Sequence, residues 1–549
     1  MNNAQFGMVG LGTMGRNFLL NVAEHGFSCA GFDIDAAKRQ LLLAESGGLK
    51  VVAAGSLVEF IAALERPRRI MLLVPAGKIV DAVINDLLPH LETGDIVIDG
   101  GNSHFLETER REILLGDKGV EFIGVGVSGG EEGARHGASI MPGGRREVYE
   151  HVRPIFEAVA ARADGEPCVA YMGNSSAGHF VKMVHNGIEY GLMQILAETY
   201  DFMLRVLKMN YSRMSETFSG WNDSELNSFL VEITAEVLRK VDVETGKPLV
   251  EMILDKAAQK GTGKWTSQAA MDFGVPIPTI DAAVAMRQIS AQKEARILIA
   301  KKYSGRRSAV GGRLQEGNEQ PTADHRLPIT ETVSSRLVTS PKAARAEHEV
   351  ETAVSLHHRE NLGNLAAQSA GDAIGNQPDE QKNAALREDL AEAFPEFVEQ
   401  LKNALLSSFI VTYAQGMSLL QTASKEKNYD LNLSEIAKIW RGGCIIRSAL
   451  LEEMRRAFAE NPELPNLILD EKFAEILNRN REDWRSITAK FTESRISALC
   501  LSSALAYFDA FRSERLPANL IQAQRDFFGA HTYQRIDKEG IFHTPDWNE

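Results

Sequence analysis

The hydrophobic pattern at the start of the chain is an apolar run, Phe6 to Val9, then the loop Gly10-Leu11-Gly12-Thr13-Met14-Gly15. A stretch with helical spacing follows from Arg16 to His25, and then a second apolar run from Ser28 to Phe32. Short apolar runs bounded by glycine predict buried strands, and apolar positions recurring every three to four residues between them predict a helix. The unit recurs downstream. Ile70 to Val74, Ile96 to Asp99 and Phe122 to Val127 read as further strands, and the last two end in Gly100-Gly101-Asn102-Ser103 and Ser128-Gly129-Gly130-Glu131-Glu132-Gly133. Strands alternating with helices predict a parallel, doubly wound, Rossmann-like α/β sheet that binds ligands beyond the carboxyl ends of its strands. Both glycine-rich loops fall at such ends.

A G-x-G-x-x-G loop gains meaning from the strand before it and the helix after it. Gly10 permits the tight turn, Gly12 lets the backbone approach a pyrophosphate, and Gly15 lets helix pack on strand, while the helix N-terminus favours negative charge. Asp33 closes the second strand, where a carboxylate accepts hydrogen bonds from adenosine ribose hydroxyls and repels a 2′-phosphate. That favours NAD over NADP, although Lys38 and Arg39 stand close enough in sequence to meet a phosphate.

Beyond Gly173-Asn174-Ser175-Ser176 the pattern turns helical and stays so. Lys182, His185, Asn186, Glu189 and Tyr190 share one face of the first long helix. Such a stripe is ordinarily a solvated face, but an internal comparison argues otherwise. Tyr211-Ser212-Arg213-Met214-Ser215-Glu216 with Trp221 resembles Tyr429 to Glu435 with Trp440, and the helices before them align through Met193 to Leu196 and Met417 to Leu420. In that register Lys182, His185, Asn186 and Glu189 correspond to Leu406, Phe409, Ile410 and Tyr413. Polar groups at positions suited to burial are costly unless they have partners or a function. A lysine and a glutamate two turns apart can act as base and acid on one substrate, provided that burial or nearby positive charge lowers the lysine's pKa from about 10.4.

Composition narrows the field. A chain of 549 residues exceeds one hydrophobic core, so two or more domains are expected. With 44% hydrophobic and 24% charged residues and no long apolar run, it reads as a soluble globular protein. The absence of a basic, apolar leader at the N-terminus points to the cytoplasm. Cys29, Cys168, Cys444 and Cys500 are scattered and read as reduced thiols. A net charge of −14 argues against nucleic-acid binding, and an anionic ligand would need a local basic cluster.

These stretches resemble the decarboxylating 6-phosphogluconate dehydrogenase family. The likeness is carried by IDGGNS (98–103), GVSGGEEGAR (126–135), GHFVKMVHNGIEYG (178–191), QKGTGKWT (259–266), WRGGCIIRS (440–448) and RLPANLIQAQRDFFGAHTY (515–533), in family order across nearly the whole chain. The resemblance implies an NAD- or NADP-dependent oxidoreductase of the pentose phosphate pathway and of gluconate utilisation, with no metal. It would convert 6-phosphogluconate to ribulose 5-phosphate and carbon dioxide. It further implies Lys182 as the base and Glu189 as the acid. Asn102, Ser128, Gly129, Gly130, His185 and Asn186 would hold the substrate carboxylate and hydroxyls; Tyr190, Lys260, Thr262 and Arg287 would hold its phosphate end. Arg525 and His531 would reach across from the second subunit of a homodimer. Gly10, Gly12, Thr13, Met14, Gly15, Asp33, Val74, Pro75, Ala76 and Asn102 are the candidate cofactor-binding positions.

The chain departs from the resemblance at three places. Asp33-Ile34-Asp35 stands where NADP-using members carry an Asn-Arg-Thr-like turn, and Leu192 where the family usually has aspartate. Residues 304–393, without an aromatic side chain and with Pro321, Pro328, Pro341 and Pro378, read as a flexible insertion in which 338–365 could form a solvated helix. QKGTGKWT fails as a phosphate loop of the Walker type, because Ala258 replaces its leading glycine and Trp265 its hydroxyl residue. His348, His357 and His358 read as surface residues. The expected organisation is therefore a dinucleotide-binding domain over 1–176 and an all-helical substrate and dimerisation domain over 177–514. A tail over 515–549 would contact a partner subunit. The rival readings are a related β-hydroxyacid dehydrogenase, which Lys260, Arg287 and Arg525 disfavour, and a non-catalytic nucleotide-binding regulator, which the retention of Lys182 and Glu189 disfavours.

Overall fold

The structure is a computed structural model that describes residues 3–304 and 379–547, and the side chains of the second stretch from Phe394 onward. Of the insertion expected over 304–393, residues 305–378 lie outside the described residues, and with them the helix considered at 338–365 and the three histidines. The chain divides into two compact units, residues 1–296 with 395–549, and residues 297–394. In the second unit the described backbone is helical at both ends.

The first unit opens with seven strands, β1 (Phe6–Val9), β2 (Cys29–Phe32), β3 (Val51–Ala53), β4 (Arg69–Leu72), β5 (Ile96–Asp99), β6 (Glu121–Ser128) and β7 (Ser139–Gly144). Their order in the sheet is β3-β2-β1-β4-β5-β6-β7. The first six are parallel, as expected, but β7 pairs antiparallel with β6, Ile123 opposite Gly144 and Ser128 opposite Ser139. Its sequence, Ser-Ile-Met-Pro-Gly-Gly, reads as a turn; Pro142 is tolerated because β7 lies at the sheet edge. The connecting helices are α1 (Thr13–Glu24), α2 (Ala36–Glu45), α3 (Leu57–Ala62), α4 (Lys78–Leu87), α5 (Phe105–Gly116), α6 (Gly130–His136) and α7 (Arg146–Val159). α1 starts three residues before the expected Arg16 because Gly12 serves as its N-cap, which leaves the loop's N–H groups open at the helix end. Apolar residues fill both faces of the sheet, Phe6, Phe18, Leu19 and Val152 on one and Phe60, Ile70, Ile84 and Val97 on the other.

The chain then enters α8 (Ala177–Arg205), followed by α9 (Tyr211–Asn222), α10 (Phe229–Arg239), α11 (Leu249–Met252), α12 (Thr262–Asp272), α13 (Pro278–Ala291) and α14 (Lys293–Ser304). After the undescribed stretch come α15 (Asp379–Lys427), α16 (Leu433–Ile439), α17 (Leu450–Glu460), α18 (Glu471–Glu493), α19 (Leu499–Phe511) and α20 (Ala518–Gly529). No helix among the described residues is long and apolar enough to cross a membrane.

The internal similarity read from sequence has a structural counterpart. Asn210 caps α9 by accepting from the Arg213 N–H, and Asn432 caps α16 by accepting from the Glu435 N–H. Trp221 and Trp440 are both buried. The segments after α9 and after α16 pair antiparallel at Ser228 and Ser448, with the Phe229 N–H donating to Arg447 and the Ala449 N–H to Asn227. The aligned positions Leu406, Phe409, Ile410 and Tyr413 are buried on α15; of the corresponding polar residues of α8, Lys182 and His185 are buried and Asn186 and Glu189 half-buried.

Candidate active site

Glycine fixes how α8 meets the sheet. A Cβ at Gly178 would lie 2.3 Å from the Met141 carbonyl oxygen, 2.5 Å from that of Gly124 and 2.6 Å from the Gly143 nitrogen, all backbone atoms. One turn on, the Lys182 stem lies against Gly126 of β6, where an added Cβ would come within 2.4 Å of Lys182 Cβ. The helix therefore touches β6 and β7 backbone to backbone, and Lys182 enters near the carboxyl end of β6.

Around it the expected face assembles. Lys182 Nζ lies 3.4 Å from His185 Nδ1, which is 3.0 Å from Asn186 Oδ1 and 3.8 Å from Glu189 Oε2. The other imidazole nitrogen, Nε2, lies 3.2 Å from Ser128 Oγ, and the ring meets Trp440 edge-on with centroids 5.5 Å apart. Asn186 Nδ2 donates to Thr262 Oγ1 at 3.2 Å. Thr262 begins α12, which approaches α8 closely because Gly187 faces Thr266 and Gly263 faces the Tyr190 ring. The Arg287 guanidinium stacks 3.5 Å above the centre of that ring and donates to the Ala258 carbonyl.

Burial sets the protonation of this cluster. It pushes the Lys182 amine below the usual lysine range, against the opposing pull of Glu189 and Cys444. It pushes the Glu189 carboxyl above the usual range, against Lys182 and Arg287. His185 is held well below its usual value by burial and then by Lys182. Amine and carboxyl thus move towards each other, so each neutral form becomes accessible, and a base and an acid require those forms.

At the sheet's first loop Gly10 has φ +96°, and a Cβ at Gly15 would sit 1.9 Å from the Gly10 carbonyl oxygen, while nothing lies within 4 Å of the corresponding point at Gly12. Open space over a helix N-terminus fits a pyrophosphate. Asp33 is more committed than expected: Oδ2 accepts from the Leu11 N–H at 2.8 Å and faces Lys38 Nζ at 3.4 Å, and Oδ1 accepts from the Asp35 N–H. It anchors the glycine loop to the end of β2 before any ribose arrives. Arg39 Nη1 donates to the carbonyls of Asp33 and Ile34 at the same corner.

Other candidate residues are more exposed. Asn102, Gly130 and Lys260 are exposed, and Arg525 and His531 lie on the surface of their own chain, Arg525 donating to Gln522 and His531 packed against Phe528. No described contact joins either tail residue to the Lys182 cluster within one chain. Leu192 is buried in the core.

Sequence reasoning missed Arg111. Its fully buried side chain contacts Asp81, Asp99, Ser103 and the Gly77 carbonyl. The signal was present: Phe105, Thr108, Arg111 and Leu115 all lie on the buried face of α5, and an arginine at an apolar spacing requires partners.

A glycine-cradled dinucleotide fold, with a helix that brings a buried amine and a half-buried carboxyl to the strand ends, defines the class of nicotinamide-dependent dehydrogenases. Residues 5–173 match the profile of the NAD binding domain of 6-phosphogluconate dehydrogenase, and residues 178–340 and 327–547 match that of its C-terminal domain. The chain belongs to the 6-phosphogluconate dehydrogenase family. It is 44% identical over 544 residues to the NADP(+)-dependent, decarboxylating 6-phosphogluconate dehydrogenase of Bacillus subtilis (strain 168), covering 99% of each chain. It is 43% identical over 545 residues to the decarboxylating enzyme of Escherichia coli (strain K12), again with 99% of each covered. Among solved structures it is similar to Plasmodium falciparum 6-phosphogluconate dehydrogenase, with a TM-score of 0.80 and 37% identity over 98% of this chain and 100% of that one.

Proposed function

We propose that this chain oxidatively decarboxylates 6-phosphogluconate to ribulose 5-phosphate and carbon dioxide with reduction of a nicotinamide dinucleotide. The observation that carries this reading is the buried Lys182 and the half-buried Glu189 on one face of α8, bridged by His185, with burial pushing their pKa values in opposite directions.

The bound nicotinamide supplies the acceptor for the hydride that leaves substrate C3. Neutral Lys182 takes the proton of the C3 hydroxyl, which leaves a 3-keto acid. The resulting ammonium returns that proton to the carbonyl oxygen as the C1 carboxylate departs as carbon dioxide, and the electron pair of the broken bond forms an enediol. Protonated Glu189 delivers a proton to the new terminal carbon while Lys182 takes back the enol proton. One proton passing from Lys182 to Glu189 then restores both groups. The His185 imidazole lies between them, hydrogen-bonding distance or slightly more from each.

Ser128, His185 and Asn186, with Asn102, Gly129 and Gly130, hold the carboxylate and hydroxyl groups in this reading. Tyr190, Lys260, Thr262 and Arg287 hold the phosphate, the cationic groups supplying what an acidic chain otherwise lacks. Arg525 and His531 complete the site from a second subunit; the apolar side chains Leu520, Phe527 and Phe528 exposed on the same tail support a homodimer. Gly10, Gly12, Thr13, Met14 and Gly15 cradle the pyrophosphate, and Val74, Pro75, Ala76 and Asn102 line the nicotinamide side. Asp33 and Asp35 favour NAD, because their carboxylates repel a 2′-phosphate, against the opposing charge of Lys38 and Arg39 at the same corner.

The test is purified protein with 6-phosphogluconate and either dinucleotide, following reduced nicotinamide and released carbon dioxide together. The expected result is equimolar formation of both, abolished by Lys182→Met in a protein that still melts cooperatively. Reduced nicotinamide without carbon dioxide would assign the chain to simple hydroxyacid oxidation instead.

A further inference from the structure

Arg111 joins two loops that no catalytic role yet connects. Nε donates to Asp81 Oδ1 at 2.8 Å, Nη2 to the Gly77 carbonyl at 3.1 Å, and Nη1 to Ser103 Oγ at 3.3 Å and Asp99 Oδ2 at 3.4 Å. Asp99 in turn accepts from Ser103 Oγ at 2.6 Å and from the Gly101 N–H at 3.1 Å. A guanidinium is planar and rigid, so partners bound to its three nitrogens are fixed relative to one another. The loop after β4 and the loop after β5 are therefore held at a set spacing by one buried side chain.

The sheet order says what lies there. The pyrophosphate cradle follows β1, and the adenosine corner at Asp33 follows β2, on one side of β1. On the other side stand β4, β5 and then β6, against which Lys182 packs. A dinucleotide that starts at β2 and presents its reactive ring to Lys182 must cross the loops after β4 and β5. We infer that Arg111 is a positioning residue for the nicotinamide half of the cofactor, clamping Val74 to Gly77 against Gly100 to Ser103 so that the ring meets the Lys182 cluster in register. The inference rests on the dinucleotide reading above for the direction in which the cofactor lies.

Arg111→Lys keeps the charge and loses the fork. Titration calorimetry would compare wild type and variant with the dinucleotide that the wild type binds more tightly, NAD or NADP. The same titration with ADP-ribose, or its 2′-phosphorylated form, reads the half without nicotinamide. The variant's dissociation constant for the dinucleotide should rise about tenfold, the loss of roughly one hydrogen bond to a charged group, while that for the ADP-ribose fragment stays within about twofold. In turnover kcat should fall with the 6-phosphogluconate KM unchanged. Ser103→Ala, which removes one partner without touching the charge, should shift the two constants apart in the same direction by less, and it carries the test if Arg111→Lys fails to fold. Equal weakening of dinucleotide and fragment, or no weakening of either, overturns the inference and leaves the dinucleotide reading standing. A wild type that binds neither ligand removes both.

Discussion

Gly178→Ala adds one methyl group where α8 crosses the sheet. The three nearest atoms belong to the backbones of β6 and β7, at 2.3 to 2.6 Å, so no side chain can swing aside. An ordinary contact needs about 3.5 Å, and the helix must therefore lift by about 1 Å or tilt. Overpacking of this kind costs about 1–3 kcal/mol. The larger effect falls on Lys182, one turn along the same helix, because a displacement near 1 Å of a group that must meet a reacting atom lowers rate by about 100-fold. Steady-state assays should show kcat down by that order with the dinucleotide KM little changed, since the glycine loop follows β1, three strands from β6 in the sheet. Gly220→Ala is the control: Gly220 lies within α9 with nothing within 4 Å of an added Cβ, and alanine there should be neutral or stabilising by up to about 1 kcal/mol. A Gly178→Ala enzyme with wild-type kcat and an unchanged melting temperature would refute the claim that backbone contact positions the lysine.

Further expectations follow from the same geometry. The proposed mechanism requires Lys182 neutral and Glu189 protonated, so kcat/KM should rise with pH on the acidic side as the amine loses its proton and fall on the alkaline side as the carboxyl loses its own. In pH–rate profiles Glu189→Gln should lose the alkaline limb and keep the acidic one, and loss of both limbs would contradict the assignment. Asp33→Asn keeps an acceptor for the Leu11 N–H and removes the charge; the ratio of kcat/KM for NADP to that for NAD should increase, and an unchanged ratio would show that Asp33 does not govern the choice. Burial raises the Glu198 carboxyl on α8 from 4.5 to about 7, against the N–H groups of Cys500 and Leu501 that it caps. Because the folded value is the higher one, protonation stabilises the fold, fully below about 4.5 and lost as pH rises through about 7. Denaturant titrations should therefore show wild type losing about 3 kcal/mol across that window relative to Glu198→Gln, and parallel pH curves for the two proteins would contradict it.

Much of this architecture was legible in the chain because local signals and tertiary packing agree there. The glycines from Gly10 to Gly15 join β1 to α1, which already takes in Thr13 to Gly15, and the stripe from Lys182 to Tyr190 shares a face of α8, as its spacing implied. The comparison with Leu406, Phe409, Ile410 and Tyr413 foretold the burial of Lys182 and His185, since packing in one copy predicts packing in the other, while Asn186 and Glu189 are only half-buried. The antiparallel β7 was not legible, because its proline and glycines suit an edge strand and a turn equally. Nor was the anchoring role of Asp33, which depends on the Leu11 N–H brought to it by strand pairing. Arg111 shows its spacing in sequence but not its partners, which come from two other loops. The tail residues Arg525 and His531 have no described contact with the Lys182 cluster within one chain, and their proposed place needs a second subunit, which no single sequence displays.

The most direct test is the ionisation of Lys182 itself, read by NMR of lysine labelled at the ε-position and assigned by the signal missing from Lys182→Met. A lysine titrating clearly below 10.5 in wild type, and shifting further down in Glu189→Gln once the neighbouring carboxylate is gone, is the predicted result. A Lys182 that titrates at or above 10.5 would be charged throughout the working range and could not serve as the base.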